Sequence, residues 1–265
     1  MISCHLHPRI VDAICKIVNR RSLKTETRQG TKRARSKPTC TRRGVPQGSS
    51  LGPILFALEV DSLLHLLHSE GITATMFSDD LALLFQWLDS ESIASITGRV
   101  QTAVNLVVNW CQKHFFKINK DKCSHTIFGS PSTTPLILWI DSTLLVHENT
   151  PKYLGVRIGR DYTISQHVDN IIDNIRHRMI SLYLIRGKDW GISTTSTLML
   201  LKSFVWPQSQ YCLSLTFPMM SSREATRVQR AINTALRIVV NAPMTTRLEV
   251  LWKETNSFRS SKDID

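Results

Sequence analysis

Zinc-knuckle chemistry, secretion and membrane spanning find no support in this chain. Its six cysteines, at positions 4, 15, 40, 111, 123 and 212, form no Cys-x-x-Cys pair and have no histidine partners at zinc-ligand spacing. They read as free thiols of a reducing compartment. No apolar run approaches the ~20 residues needed to cross a bilayer, and residues 1–10 hold no secretory hydrophobic segment. Nucleus or cytoplasm is the expected location. No internal repeat is evident. Acid is scarce at one end: residues 1–45 carry twelve Lys/Arg against two acids, so +10 of the net +12 lies there and the other 220 residues contribute +2.

What is present is enough for a real core. At 265 residues with 42% hydrophobic content, the chain is expected to form one large unit or two smaller ones and is not disordered overall. The basic region centres on Arg20-Arg21, Lys24, Arg28, Lys32-Arg33, Arg35, Lys37 and Arg42-Arg43. Such clusters bind nucleic-acid phosphates through counterion release, an effect that weakens as salt rises. A solvated loop, or a nuclear-localisation run at Lys32-Arg33-Ala34-Arg35, is the alternative.

Asp79-Asp80 is the most informative feature. It sits in Met76-Phe77-Ser78-Asp79-Asp80-Leu81-Ala82-Leu83-Leu84-Phe85, between two apolar runs of strand length and composition, which reads as a hairpin with acid at its turn. Asp-Asp without a glycine is not a standard two-residue hairpin turn. Two carboxylates ~4 Å apart repel by roughly 1 kcal/mol in water and about 4 kcal/mol at an effective dielectric of 20. Mg²⁺ reverses that penalty, typically taking one or two carboxylates plus phosphate oxygens of a substrate. The bland alternative is a solvated turn.

Upstream lies Arg42-Arg43-Gly44-Val45-Pro46-Gln47-Gly48-Ser49-Ser50-Leu51-Gly52-Pro53-Ile54-Leu55-Phe56, a small-residue loop running into an apolar helix. Gly44, Gly48 and Gly52 permit unusual dihedrals and close backbone approach, while Pro46 and Pro53 stiffen the path. Gln47 and Ser49 offer side-chain donors, and backbone N–H groups at the start of the helix favour an anion such as a triphosphate or template phosphate. An ordinary Gly/Pro connection is the alternative.

Together these two segments resemble motifs B and C of the reverse transcriptase palm, in the version used by non-LTR, LINE-type retrotransposons. Lys117-Ile118-Asn119-Lys120-Asp121-Lys122-Cys123 with Thr126-Ile127-Phe128 resembles motif D, and Tyr153-Leu154-Gly155-Val156 resembles the primer-grip turn of motif E. Four elements agree in order and spacing. The resemblance implies an α+β fold, a partial right-hand palm of antiparallel strands packed with helices, followed by an α-helical thumb. It implies that Pro46, Gln47, Gly48, Ser49 and Phe77 support the templating base and incoming dNTP. Asp79 is then the stronger Mg²⁺ ligand, Asp80 supports the site at the primer end, and Tyr153, Leu154 and Gly155 grip the primer. Lys122 matches the proton donor to the leaving pyrophosphate, with Lys120 or a plain surface lysine as alternatives. Arg20, Arg21, Arg33, Arg35, Arg42 and Arg43 would meet the backbone of the RNA template and DNA primer. Departures occur at Ser50, at Gly52 and at Phe77-Ser78, where Tyr-Ala or Phe-Ala is usual.

In this family a third carboxylate, from motif A, bridges two cations ~3.5–4 Å apart. Only Asp12 and Glu26 precede Gly44. Asp12 falls on the polar face of a helix over residues 8–20, Glu26 sits in a basic segment, and Asp61 reads as a helix-surface residue; none suits that role. The chain therefore resembles a 5′-truncated reverse transcriptase, or a gene model that has lost its start, without motif A and most of the fingers.

After motif C, residues 89–113 read as an amphipathic helix with caps from Asp89-Ser90-Glu91-Ser92, followed by strands at 124–128, 136–140, 143–146 and 153–158. From Ser165 the pattern is helical, with stripes Val168, Ile172, Ile175, Met179, Leu182 and Ala225, Val228, Ile232, Ala235, Val239. Between them a helix begins at Leu198 that Pro207 should kink or end. Asn241-Ala242-Pro243 stops the last helix, and 257–265 reads as frayed. The six tryptophans read as core or half-buried packing rather than stacking platforms. The expected division is 1–43 basic fingers/palm remnant, 44–160 palm, 161–220 thumb and 221–265 helical linker. The ancestral reaction is RNA-directed DNA synthesis, which this chain is expected not to perform alone because the motif A aspartate is absent; a nucleic-acid-binding remnant without catalysis and a relic without a role are the alternatives.

Overall fold

In the computed structural model, which describes residues 7–18, 21–29, 32–41, 44, 48–88, 90–129, 135–187 and 190–255, helices alternate with short strand pairs, a mixed α+β chain. The elements begin with α1 (Pro8–Val18), β1 (Arg21–Leu23), β2 (Glu26–Gln29), β3 (Lys32–Arg35) and β4 (Thr39–Thr41). Then come α2 (Gly52–Ser69), β5 (Thr73–Phe77), β6 (Asp80–Leu84), α3 (Ile93–Lys113), β7 (Ser124–His125), β8 (Trp139–Ile140) and β9 (Thr143–Leu144). β10 (Val146–His147), β11 (Lys152–Tyr153) and β12 (Val156–Arg157) precede the helices α4 (Ser165–Arg186), α5 (Thr194–Leu200), α6 (Trp206–Gln210), α7 (Leu213–Thr216), α8 (Ser222–Val240) and α9 (Leu248–Thr255). Contacts divide the chain into two compact units, Met1–Lys120 with Leu138–Leu144, and Asp121–Ile137 with Leu145–Asp265. The segment 44–160 contributes to both.

In the first unit, the apolar run after Pro53 makes α2, whose Val60, Leu63 and Leu67 are buried with Trp110 and Cys111 of α3. Strand alternation supplies the other wall: Ala74 and Met76 of β5 and Leu81 and Leu83 of β6 face this core, leaving Phe77 and Asp80 on the opposite face. The capping cluster before α3 works through Ser92, whose hydroxyl accepts from the Ser95 amide. Gln101 of α3 clamps β8, its amide accepting from Trp139 N at 2.8 Å and donating to Trp139 O at 2.9 Å. Asp61 faces His65 one turn on at 3.4 Å, a helix-surface pair.

The second unit is centred on α4 and α8, whose expected stripes meet: Val168, Ile172, Ile175 and Leu182 pack with Val228, Ile232, Ala235 and Val239 in one buried cluster. Ser221 and Glu224 form a capping box that starts α8, and Asn241, at φ 53°, ends it. Pro207 does not end its helix. The preceding turn, Leu201–Val205, widens to π-helix, and α6 carries Pro207 in its first turn.

Other expectations are corrected. The strands expected over 124–128 and 136–140 shrink to two residues each, 143–146 divides into two strands, and 153–158 is a hairpin interrupted at Leu154-Gly155. A further helix, α9, follows Pro243. Trp110 is buried, but Trp139 and Trp190 are exposed. The frayed end expected at 257–265 lies outside the described residues.

The parallel pair β7/β10 sets His125 beside His147 in register, ring centres 5.0 Å apart. Burial first, and the second imidazole next, lower the His125 pKa below its ordinary value, an effect partly offset by the Val146 backbone; burial also lowers His167. The fold thus favours the neutral form of His125 and His167 while the unfolded chain takes up protons below about pH 6.5, so the stability they contribute is present above that pH and lost below it. The melting temperature is expected to fall on acidification from about pH 7.5 to about pH 5, with His125→Phe flattening that slope; thermal unfolding across this range checks it.

Candidate functional site

The acidic hairpin forms with one adjustment. Phe77 pairs with Asp80, so the two-residue turn is Ser78-Asp79, and Asp80 is the first residue of β6. Of the two central residues only Ser78 has positive φ, 54°, the type II′ pattern that normally asks for glycine first. A left-handed serine costs roughly 1–2 kcal/mol. Both aspartates and Phe77 are exposed, Phe77 at 65%. Among the described residues no hydrogen bond or ion pair engages either carboxylate, and no group of three or more His, Cys, Asp or Glu is placed to hold a metal ion. The donor set nevertheless fits one Mg²⁺: two adjacent carboxylates without protein partners, with the remaining positions open to water and phosphate oxygens.

None of the other early acids joins them. Asp12 is an exposed residue of α1, Glu26 is ion-paired within the basic segment, and Asp61 faces His65.

Ahead of α2, Arg42, Arg43, Pro46 and Gln47 lie outside the described residues. Gly48 is exposed at φ 82° and Gly44 has φ 77°, whereas Gly52, expected to share that freedom, is the first residue of α2. The Ser49 hydroxyl accepts from Leu51 N at 3.3 Å and the Ser49 carbonyl from Gly52 N at 3.0 Å, so Ser49 turns the chain into the helix. Among the described residues no side chain caps that helix start.

Of the two lysines weighed in motif D, Lys120 is engaged by Asp141 at 2.6 Å, while Lys122 is exposed in the same short 3-10 turn.

The motif E segment is a tight hairpin, Tyr153 pairing with Val156 and the turn Leu154-Gly155 having φ 46° and 85°. Both positive values make it a type I′ turn, unusual for leucine. Tyr211 covers it. Its hydroxyl donates to the Leu154 carbonyl at 2.5 Å, and a Cβ on Gly155 would stand 3.0 Å from Tyr211 Cε1 and 3.3 Å from the hydroxyl, so a larger residue would have to push the ring aside as well as adopt φ 85°. Burial, then neighbouring Cys212, raises the Tyr211 pKa above its ordinary value. No sequence signal points to this residue, which lies 57 positions from Leu154.

The basic segment is not a loop. β1 pairs with β4 and β2 with β3, all antiparallel, and the register steps from Leu23↔Thr39 to Glu26↔Arg35. Lys24 therefore stands opposite both Lys37 and Pro38, a bulge placed where proline is tolerated. Glu26↔Arg35 and Arg28↔Arg33 share one face of the ribbon. Glu26 lies 3.0 Å from Arg35 and 3.9 Å from Arg33, an exposed arrangement worth little in water and easily exchanged for phosphate. Arg21 is in β1, and Arg20 is outside the described residues.

The family described as reverse transcriptase (RNA-dependent DNA polymerase) matches residues 8–158. Among curated proteins, the chain is 23% identical over 205 residues to the retrovirus-related Pol polyprotein from type-1 retrotransposable element R1 2 of Nasonia vitripennis, covering 75% of this chain and 48% of that protein. It is 28% identical over 141 residues to the RNA-directed DNA polymerase from mobile element jockey of Drosophila melanogaster, covering 51% and 15%. With the probable RNA-directed DNA polymerase from transposon X-element of the same fly it shares 24% over 214 residues, covering 80% and 23%. The chain thus spans less than half the length of each of these relatives.

Proposed function

The chain belongs to the reverse transcriptase family, and from that premise we propose that it is RNA-directed DNA polymerase sequence of a LINE-type retrotransposon. In this reading 1–43 is a basic fingers/palm remnant, 44–160 palm, 161–220 thumb and 221–265 linker. The observation that carries it is the hairpin that presents Asp79 and Asp80, without protein partners among the described residues, beside exposed Phe77.

The reaction is attack of a primer 3′-hydroxyl on the α-phosphate of a dNTP, with pyrophosphate leaving. Asp79 would be the principal Mg²⁺ ligand and Asp80 the second, and the ion they would hold would supply charge neutralisation at the transferring phosphoryl group. Phe77 offers the primer terminus a flat apolar surface. The Pro46-Gln47-Gly48-Ser49 loop supports the templating base and the incoming dNTP. Lys122 donates its proton to the departing pyrophosphate oxygen. Tyr153, Leu154 and Gly155 hold the primer.

Arg33 and Arg35, with Arg20, Arg21, Arg42 and Arg43, carry the template and primer backbone. Replacing Arg33 and Arg35 together by glutamine is expected to weaken binding uniformly across sequences. The slope of log K against log salt should become shallower by roughly 1.5–2 on duplex. Fluorescence anisotropy over a salt series reads both, and an unchanged slope would remove the ribbon from the interface.

A second reading has its own support. Two-metal transfer uses a third carboxylate, and none joins Asp79 and Asp80 among the described residues. A palm and thumb that binds nucleic acid without catalysis predicts the same salt-sensitive binding but no incorporation. Primer extension on RNA, with and without Asp79, separates the two.

A further inference from the structure

We propose that Tyr211 is a positioning residue for the Leu154-Gly155 turn, holding it in the one geometry in which it can meet a primer end. The proposal rests on the primer-grip reading of that turn and deepens it by naming what sets the turn from outside its own hairpin.

The turn cannot be set by its own strands alone. β11 and β12 contribute two paired residues each, too short a hairpin to be stable by itself. Leucine in the left-handed region resists the turn further, since that conformation is routine only for glycine and, occasionally, Asn or Asp. Tyr211 meets both needs: its hydroxyl holds the Leu154 carbonyl at 2.5 Å, and its ring occupies the space that the missing Gly155 side chain leaves.

The helical segment before Tyr211 is shaped to deliver that ring. The π-turn at Leu201–Val205 anchors through buried Leu201 and Val205, and α6 carries Pro207, whose carbonyl accepts from Tyr211 N at 3.1 Å. The chain then leaves helical conformation, Tyr211 extended at ψ 120° and Cys212 left-handed at φ 54°. That break turns the aromatic out of the helical path and onto the hairpin. One edge of the ring stays open: Tyr211 is 52% exposed. The residue therefore ties the helical segment 201–210 to the turn within the same compact unit.

The test uses the full chain and Tyr211→Phe, which keeps the ring and removes only the donor, with Gly155→Ala as a second variant that pushes the ring off the turn. Hydrogen exchange across residues 150–158 reads the turn; anisotropy reads affinity for a labelled RNA–DNA duplex with a recessed primer 3′ end and for a blunt duplex of equal length. Losing one hydrogen bond is expected to speed exchange in this segment by about fivefold. It should also weaken binding of the recessed end by a similar factor while leaving the blunt duplex unchanged, a selectivity that general destabilisation would not produce. Exchange in 150–158 unchanged in both variants overturns the proposal, as does equal weakening for both duplexes. Faster exchange with both affinities unchanged leaves Tyr211 positioning the turn and overturns the primer-grip reading on which its purpose depends.

Discussion

Asp79→Ala is expected to lower templated nucleotide incorporation by about three orders of magnitude, equivalent to about 4 kcal/mol of transition-state stabilisation. The size follows from the role proposed for the carboxylate, which would hold a divalent ion against the transferring phosphoryl group, where several kcal/mol of charge stabilisation are at stake. The fold should not notice. Asp79 is exposed, and among the described residues it has no partner, so its removal changes stability by no more than about 0.5 kcal/mol. Asp80→Ala, at the first position of β6, is expected to cost less, on the order of ten- to a hundredfold. Single-turnover extension rates with matched thermal melts check both halves. Activity loss accompanied by a large drop in melting temperature would make the aspartates structural.

Ile175→Ala is expected to produce the largest loss of stability, about 3–4 kcal/mol, through lost transfer free energy and the cavity left behind. Ile175 is fully buried, in the cluster of α4 and α8 that also holds Ile171, Ile172, Leu236 and Val239. Tyr183 supplies the control on the same helix: it is 68% exposed, and Tyr183→Ala should stay within about 0.5 kcal/mol. Denaturant unfolding of the two variants measures the contrast, and equal losses would mean that α4 buries a different face.

Local patterning made the site legible where chemistry and secondary structure coincide. The apolar runs around Asp79-Asp80 declare a hairpin, and the stripes of α4 and α8 declare the faces that pack. The turn was displaced by one residue because the left-handed position falls on Ser78, a residue that does not advertise positive φ as glycine does. The basic ribbon was invisible for a different reason. Its strands Glu-Thr-Arg-Gln and Lys-Arg-Ala-Arg hold almost no apolar residue, so hydrophobic period says nothing about them. Likewise the π-turn that carries the chain past Pro207 is a backbone adjustment with no side-chain signature. Tyr211 against Leu154 is a tertiary contact between residues far apart in the chain, and no window of sequence contains both.

The account turns on whether Asp79 and Asp80 serve RNA-templated nucleotidyl transfer, and primer extension by the purified chain on an RNA template with dNTPs and Mg²⁺ tests this most directly. Template-dependent incorporation that disappears in the Asp79→Ala/Asp80→Ala double variant is the predicted result. Incorporation that persists in the double variant, or none from a folded protein that still binds the duplex in a salt-sensitive way, would contradict it.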